Sequence, residues 1–241
     1  MIRIINIKLF ITAFLICVNG WSIDQSPDYT YIGGWPTNTN SDLIKDPGFN
    51  LPCPGPIGCE CESNSDCNNG NCHVHPKGNY CLPKIGDIIP RFEGIDQFGQ
   101  SVDLYDFANQ GKMTLIQLST VWCKPCNDLS AWFSINDLSI KKHRWWRDRY
   151  LPIRDMINNG DIQLVHILYE GNIKKGSIVP TDVKEWYEKY PSPNIPVLAD
   201  EYKWMHGWIK PTGLPCVLLL DEKMQILIYT NRGLNDVFLY L

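Results

Sequence analysis

The sequence predicts an α/β fold, a mixed β-sheet flanked by helices, preceded by a small, irregular, disulfide-stapled module. Three observations point there. Six cysteines crowd into positions 53–81 in a stretch poor in apolar residues. From Ile85 onward, short apolar runs bounded by Gly and Pro alternate with segments of helical periodicity. Within that second part, an apolar strand runs directly into Cys123-Lys-Pro-Cys126, and apolar residues follow at helical spacing.

The chain has 241 residues, 44% hydrophobic and 20% charged, which suits one ordinary globular domain plus a smaller unit. Its net charge is −4. Arg3 and Lys8 are the only charges in residues 1–20, so the remainder is more acidic still. That balance excludes nucleic acid as the main partner.

Residues 1–20 have the form of an export signal. Arg3 and Lys8 give a positive start, Leu9–Val18 is a short apolar run, and Val18-Asn19-Gly20 supplies small residues at a cleavage point. The run is too short for a comfortable membrane span, which needs about 20 residues; an uncleaved anchor is the alternative. Bulky Ile16 before Cys17 disfavours a lipid-attachment site. Residues 21–52 are rich in Asn, Asp, Pro, Gly and Thr without periodicity, and read as an irregular arm or linker.

Residues 53–84 form the Cys-rich module. Cys53, Cys59, Cys61, Cys67, Cys72 and Cys81 are an even set in an exported chain, which implies disulfides. Spacing leaves the pairing open. Cys67-x4-Cys72-His73-x-His75 contains zinc-ligand types, but the spacing fits no usual zinc site, and oxidation competes with metal in an exporting compartment. His73 and His75 are then expected as exposed loop residues.

Residues 85–241 carry the α/β pattern. Met113–Leu118, Ile162–Tyr169, Cys216–Leu220 and Gln225–Thr230 read as strands, with Asp221-Glu222-Lys223 as a hairpin turn. Leu129, Trp132 and Phe133 place a helix after the cysteine pair; Val183, Trp186, Tyr187 and Tyr190 place another. Both chemical motifs lie in this part, so it is expected to fold and react from Lys84 onward.

Cys123 and Cys126 are the candidate reactive pair. A helix N-terminus leaves unpaired N–H groups and partial positive charge beside the first cysteine, which stabilises a thiolate. Lys124 adds a nearby cation, and Pro125 fits a first turn where a missing N–H is harmless. The Cys123 thiolate would attack a disulfide, and Cys126, one turn on and more buried, would displace the product. A purely structural disulfide is the lesser reading, because so short a loop constrains the unfolded chain very little.

These residues resemble the thioredoxin superfamily, in particular its TlpA/ResA-like redoxin branch. The resemblance rests on Ile85-Gly-Asp-Ile-Ile-Pro90-Arg-Phe92, on Gly94-Ile-Asp96 with Gly99 and Val102-Asp-Leu104, on Trp122-Cys-Lys-Pro-Cys126, and on Gly213-Leu214-Pro215 before an apolar strand. It implies a thioredoxin fold with Leu214–Pro215 cis, lying beside Cys123. It also implies a substrate groove shaped by Trp122 and Pro215, and exchange with protein thiols and disulfides of the cell envelope or bacterial periplasm. The branch further implies a reductant, for cytochrome c maturation or other envelope thiols, fed by a membrane electron donor. No cofactor beyond the Cys123–Cys126 disulfide is implied.

The chain departs from the family in three places. Gln117 stands where thioredoxin has a buried Asp, and cannot titrate. Cys216 follows Pro215 where Thr is usual, and is expected to be a buried, inert thiol; a third redox thiol is the alternative. Residues 127–160 are long and include the basic stretch Lys141–Arg149, expected as a solvated helix with Trp145 and Trp146 in the core; contact with an acidic partner or lipid head groups is the alternative. Two other functions share the scaffold: a thiol peroxidase, for which Thr120 is well placed but Ile116 is not, and a non-enzymatic, disulfide-stapled binding protein.

Overall fold

The computed structural model describes residues 30–38, 49, 51–172 and 176–241. The expected export signal and most of the arm fall outside these residues. Among the described residues no helix is long and apolar enough to cross a membrane.

The Cys-rich module holds a two-stranded antiparallel hairpin, β1 (Cys72–His75) and β2 (Gly78–Cys81). Three disulfides settle the pairing that spacing left open: Cys53–Cys59, Cys61–Cys72 and Cys67–Cys81. His73 and His75 lie on β1 rather than in a loop; His73 is exposed, while His75 is half-buried with its ring against Tyr80. The module sits against the larger unit. Gly58 (φ 92°) packs onto the Gly207 carbonyl, where any Cβ would clash, and the Lys210 ammonium lies 4.4 Å from the Tyr80 ring centroid.

The larger unit is a seven-stranded sheet in the order β4-β3-β7-β6-β5-β8-β9. Its strands are β3 (Glu93–Ile95), β4 (Ser101–Asp103), β5 (Met113–Ser119), β6 (Ile162–Leu168), β7 (Val197–Ala199), β8 (Cys216–Leu220) and β9 (Ile226–Thr230). The helices are α1 (Lys124–Ile135), α2 (Leu151–Asn158), α3 (Pro180–Lys189), α4 (Trp204–Ile209) and α5 (Asn235–Tyr240). β5 lies in the interior of the sheet, parallel to β6 and antiparallel to β8. Its side chains are buried on both faces from Thr114 to Ser119, which explains why Leu115, Ile116 and Leu118 do not alternate strictly with polar residues. The order β6-β5-β8-β9, with α1 in the parallel crossover from β5 to β6 and a closing hairpin and helix, is the thioredoxin fold. The hairpin turn forms as expected: the Asp221 carboxylate accepts from the amides of Lys223 and Gln225 at 2.8 and 2.9 Å.

Two features extend the fold. Tyr31 and Trp35, in the segment read as an arm, are buried in the same core cluster as Phe92, Tyr105 and Leu118. The Trp35 indole donates to Asp96 at 2.9 Å and the Tyr31 hydroxyl to Asp106 at 2.6 Å. The second feature corrects the basic stretch, which is not an α-helix. It folds as two 3-10 turns, Leu138–Lys142 and Asp148–Tyr150. The reason is packing: Ile140, Trp146 and Tyr150 must all enter the core under α1, with Trp146 edge-on to Trp132 at 4.9 Å. Trp145 stays half-buried, stacked flat on His143.

Candidate functional site

The site is built where β5 ends and α1 begins. Cys123 is the N-cap of α1, in extended conformation, and Pro125 occupies the first turn. The two cysteines form a disulfide, and Cys123 Sγ accepts from the Cys126 backbone N–H at 3.2 Å. That amide is one of the helix's otherwise unpaired donors, aimed at the sulfur where negative charge would develop on reduction. Cys123 is 4% exposed and Cys126 fully buried, so an incoming partner meets Cys123 first.

Asn127, not singled out from sequence, fixes this turn. Its amide donates to the carbonyls of Val121 and Cys123 at 3.0 and 2.8 Å, while its own oxygen accepts from Tyr190 at 2.6 Å and Lys189 at 3.0 Å. The cysteine turn is thereby tied to α3. Trp122 is 47% exposed at the rim, and its indole donates to Glu170 at 3.1 Å; Glu170 in turn pairs with Lys203 at 2.8 Å. On the other side the Leu214–Pro215 bond is cis. Leu214 packs against the cluster that contains Cys123 and Cys126.

Lys124 does not turn toward Cys123. Its ammonium meets Asp128 at 2.5 Å, one helical turn on, and the same buried carboxylate takes Lys142 and His143, each at 2.9 Å. Burial alone would raise the Asp128 pKa. The three donors outweigh it and hold the carboxyl down at about 2. Lys142 and His143 arrive from a segment some fifteen residues away, so no local spacing announces this cluster.

Beneath α1 the buried Gln117 donates to Ser119 Oγ at 3.1 Å and lies 3.4 Å from His166 Nε2 on β6. His166 Nδ1 lies 3.4 Å from Ser130 Oγ, on the same helix face as Cys126. Burial pushes the His166 pKa down to about 3, so the imidazole is neutral. Among the described residues Gln117 Oε1 has no partner, and it borders a cavity of about 10 Å³ shared with Ser130, His166, Trp186 and Ser192, room for about one water. Cys216 is fully buried beside this strand system and is the free cysteine among the described residues, and burial pushes its thiol pKa far up.

The fold and the site together define a class: a thioredoxin-type domain with an N-cap CxxC disulfide and a cis-proline strand beside it. No protein-family description matches the chain, and no curated relative matches it. Among solved structures, the chain is similar to the thioredoxin domain of a thiol-disulfide oxidoreductase from Bacteroides vulgatus, at 21% identity and TM-score 0.46, over 66% of this chain and 95% of that one. It is also similar to a thiol:disulfide interchange protein DsbE from Chlorobium tepidum, at 17% identity and TM-score 0.44, over 61% and 84%. A secreted disulfide oxidoreductase from Mycobacterium tuberculosis gives 15% identity and TM-score 0.43, over 62% and 96%. Strand order and connection define the fold.

Proposed function

We propose that the protein is an exported thiol–disulfide oxidoreductase that exchanges the Cys123–Cys126 pair with partner proteins. The carrying observation is the disulfide at the start of α1, with the Cys126 amide on Cys123 Sγ. In the reducing direction, the Cys123 thiolate attacks one sulfur of a partner disulfide. A mixed disulfide forms and the partner's other sulfur leaves as a thiolate, which takes a proton. Cys126, deprotonated in its turn, then attacks Cys123 Sγ and expels the second partner sulfur. Two electrons pass to the partner, and Cys123–Cys126 is left oxidised.

Catalysis by Cys123 and Cys126, with Trp122, Lys124, Pro125, Gln117 and Pro215 in support, belongs to this reading. So do the reductant direction, envelope thiols or cytochrome c maturation as the destination, and a membrane electron donor that restores the dithiol. The export-signal pattern of residues 1–20 and the three disulfides of the Cys-rich module favour an oxidising compartment. The test is insulin reduction with dithiothreitol, run beside hydrogen peroxide consumption. The reading expects turnover of insulin and none of peroxide. Peroxide turnover alone would make the protein a peroxidase, and neither activity would make it a binding protein on a redox scaffold.

A further inference from the structure

We propose that the segment 141–149 is a docking surface for the protein whose disulfide Cys123 attacks, and that this partner carries acidic side chains flanking its disulfide. The inference rests on the reading of Cys123 as nucleophile and adds the substrate class. Nine residues hold Lys141, Lys142, Arg144, Arg147 and Arg149 against the single acid Asp148, in a chain whose net charge is −4. Charge of one sign is therefore gathered in one place.

The patch is fixed, and one end of it abuts the cysteine turn. Asp128 holds Lys142 and His143 from the segment and Lys124 from the cysteine turn on one carboxylate, so Lys142 stands next to the residue that follows Cys123. Trp146 and Tyr150 anchor the segment in the core, and the Tyr150 hydroxyl donates to Asn235 at 3.0 Å. The charges still face solvent. The side chains of Lys124 and Lys142 are 72% and 50% exposed, and Arg144, Arg147 and Arg149 are exposed.

Among the described residues the only acids paired with this group are Asp128 and Asp148, and none of the three arginines makes an ion pair. Fixed cations at the rim of a reactive group raise the encounter rate of an oppositely charged partner and set its register. A protein partner fits better than a bilayer surface because neither tryptophan of the segment is exposed: Trp146 is buried and Trp145 is half-buried, stacked on His143.

The test uses the reduced full-length protein in single-turnover stopped flow. Three peptides carry one intramolecular disulfide each, flanked by Glu, by Gln or by Lys, and hydroxyethyl disulfide is the neutral control. In 20 mM salt the Glu peptide is expected to react about tenfold or more faster than the Lys peptide, and the difference is expected to collapse at 0.5 M salt. Arg144→Glu is expected to abolish or reverse the order while leaving hydroxyethyl disulfide unchanged. Arg149→Glu, which breaks no ion pair, is expected to move it the same way. Equal rates for the three peptides, with hydroxyethyl disulfide still reactive, would overturn the docking surface and leave the redox reading standing. Equal rates together with cosedimentation on anionic but not zwitterionic vesicles would reassign the patch to a membrane. No reaction with any disulfide would remove both readings.

Discussion

The indole nitrogen of Trp122 donates to the carboxylate of Glu170 at 3.1 Å, and Lys203 closes on the same carboxylate at 2.8 Å. The exposed aromatic beside Cys123 is thus held by a group on the loop after β6. Glu170→Ala is expected to remove this hydrogen bond to the ring without touching the cysteines. For a protein disulfide KM should rise several-fold with kcat little changed, the pattern of lost uniform binding. Hydroxyethyl disulfide, too small to reach the rim, should react at the wild-type rate. An equal loss with both substrates would mean that Glu170 acts on the cysteine turn itself.

His166 sets part of the acid limit of stability. Its pKa is held down at about 3 by burial, against 6.5 when unfolded, so the unfolded chain takes up the proton first. The sign follows: this contribution is fully present above about pH 6.5 and is lost as pH falls toward 3. His206, lowered to about 4 by burial, acts the same way. Asp200, raised to about 6 by burial, opposes them: it favours the fold at low pH and loses that contribution as pH rises through 6. His166→Gln is expected to flatten the fall in urea-unfolding free energy between pH 6 and 4 by up to about 1.4 kcal/mol per pH unit. An unchanged slope would mean that His166 titrates normally in the folded chain.

Cys216 is expected to be dispensable. Its thiol is fully buried and its pKa is pushed far up, so little thiolate forms near neutral pH. In the native reduced protein, iodoacetamide should modify Cys123 at least about a hundredfold faster than Cys216, and Cys216→Ala should keep insulin turnover. Alkylation of Cys216 at a rate rivalling Cys123 would reopen a three-thiol mechanism.

Trp35 is expected to be integral to the large unit despite lying some fifty residues before it. It is buried and hydrogen-bonded to Asp96, so Trp35→Ala should cost about 3 kcal/mol or more in urea unfolding. A chain beginning at Lys84 lacks both Trp35 and Tyr31 and should melt well below the full chain. A loss of less than about 0.5 kcal/mol for Trp35→Ala, within the range of ordinary surface changes, would show that the segment is only a tether.

The legible part of this molecule is the part with strong local signals. β8 is a continuous apolar run because it is buried on both faces, its bounds coinciding with the apolar segment Cys216–Leu220, and β5 carries apolar residues on both faces. The cysteine turn is legible because Pro125, the Cys spacing and the following periodicity all fall within a dozen residues. β7, Val197–Ala199, is three residues long and carries no period to read. The Asp128 cluster and the buried trio Gln117, Ser130 and His166 join residues from separate elements, which only the fold brings together. His166 is further disguised by the apolar run around it. In sequence Trp35 reads as part of a linker because Asn, Pro and Gly surround it, and its burial depends on a sheet built much later in the chain.

The central claim is that Cys123 attacks and Cys126 resolves, and substitution of the two cysteines separates these roles. Cys126→Ser keeps the more accessible sulfur at the helix start and removes its resolver, so partners should stay attached. Expressed in the source compartment and run on a non-reducing gel, this variant is expected to give dithiothreitol-sensitive adducts whose other halves mass spectrometry identifies. Cys123→Ser is expected to give none and to have no insulin turnover. Adducts on Cys123→Ser instead, or on neither variant while the wild type still reduces insulin, would contradict the assignment.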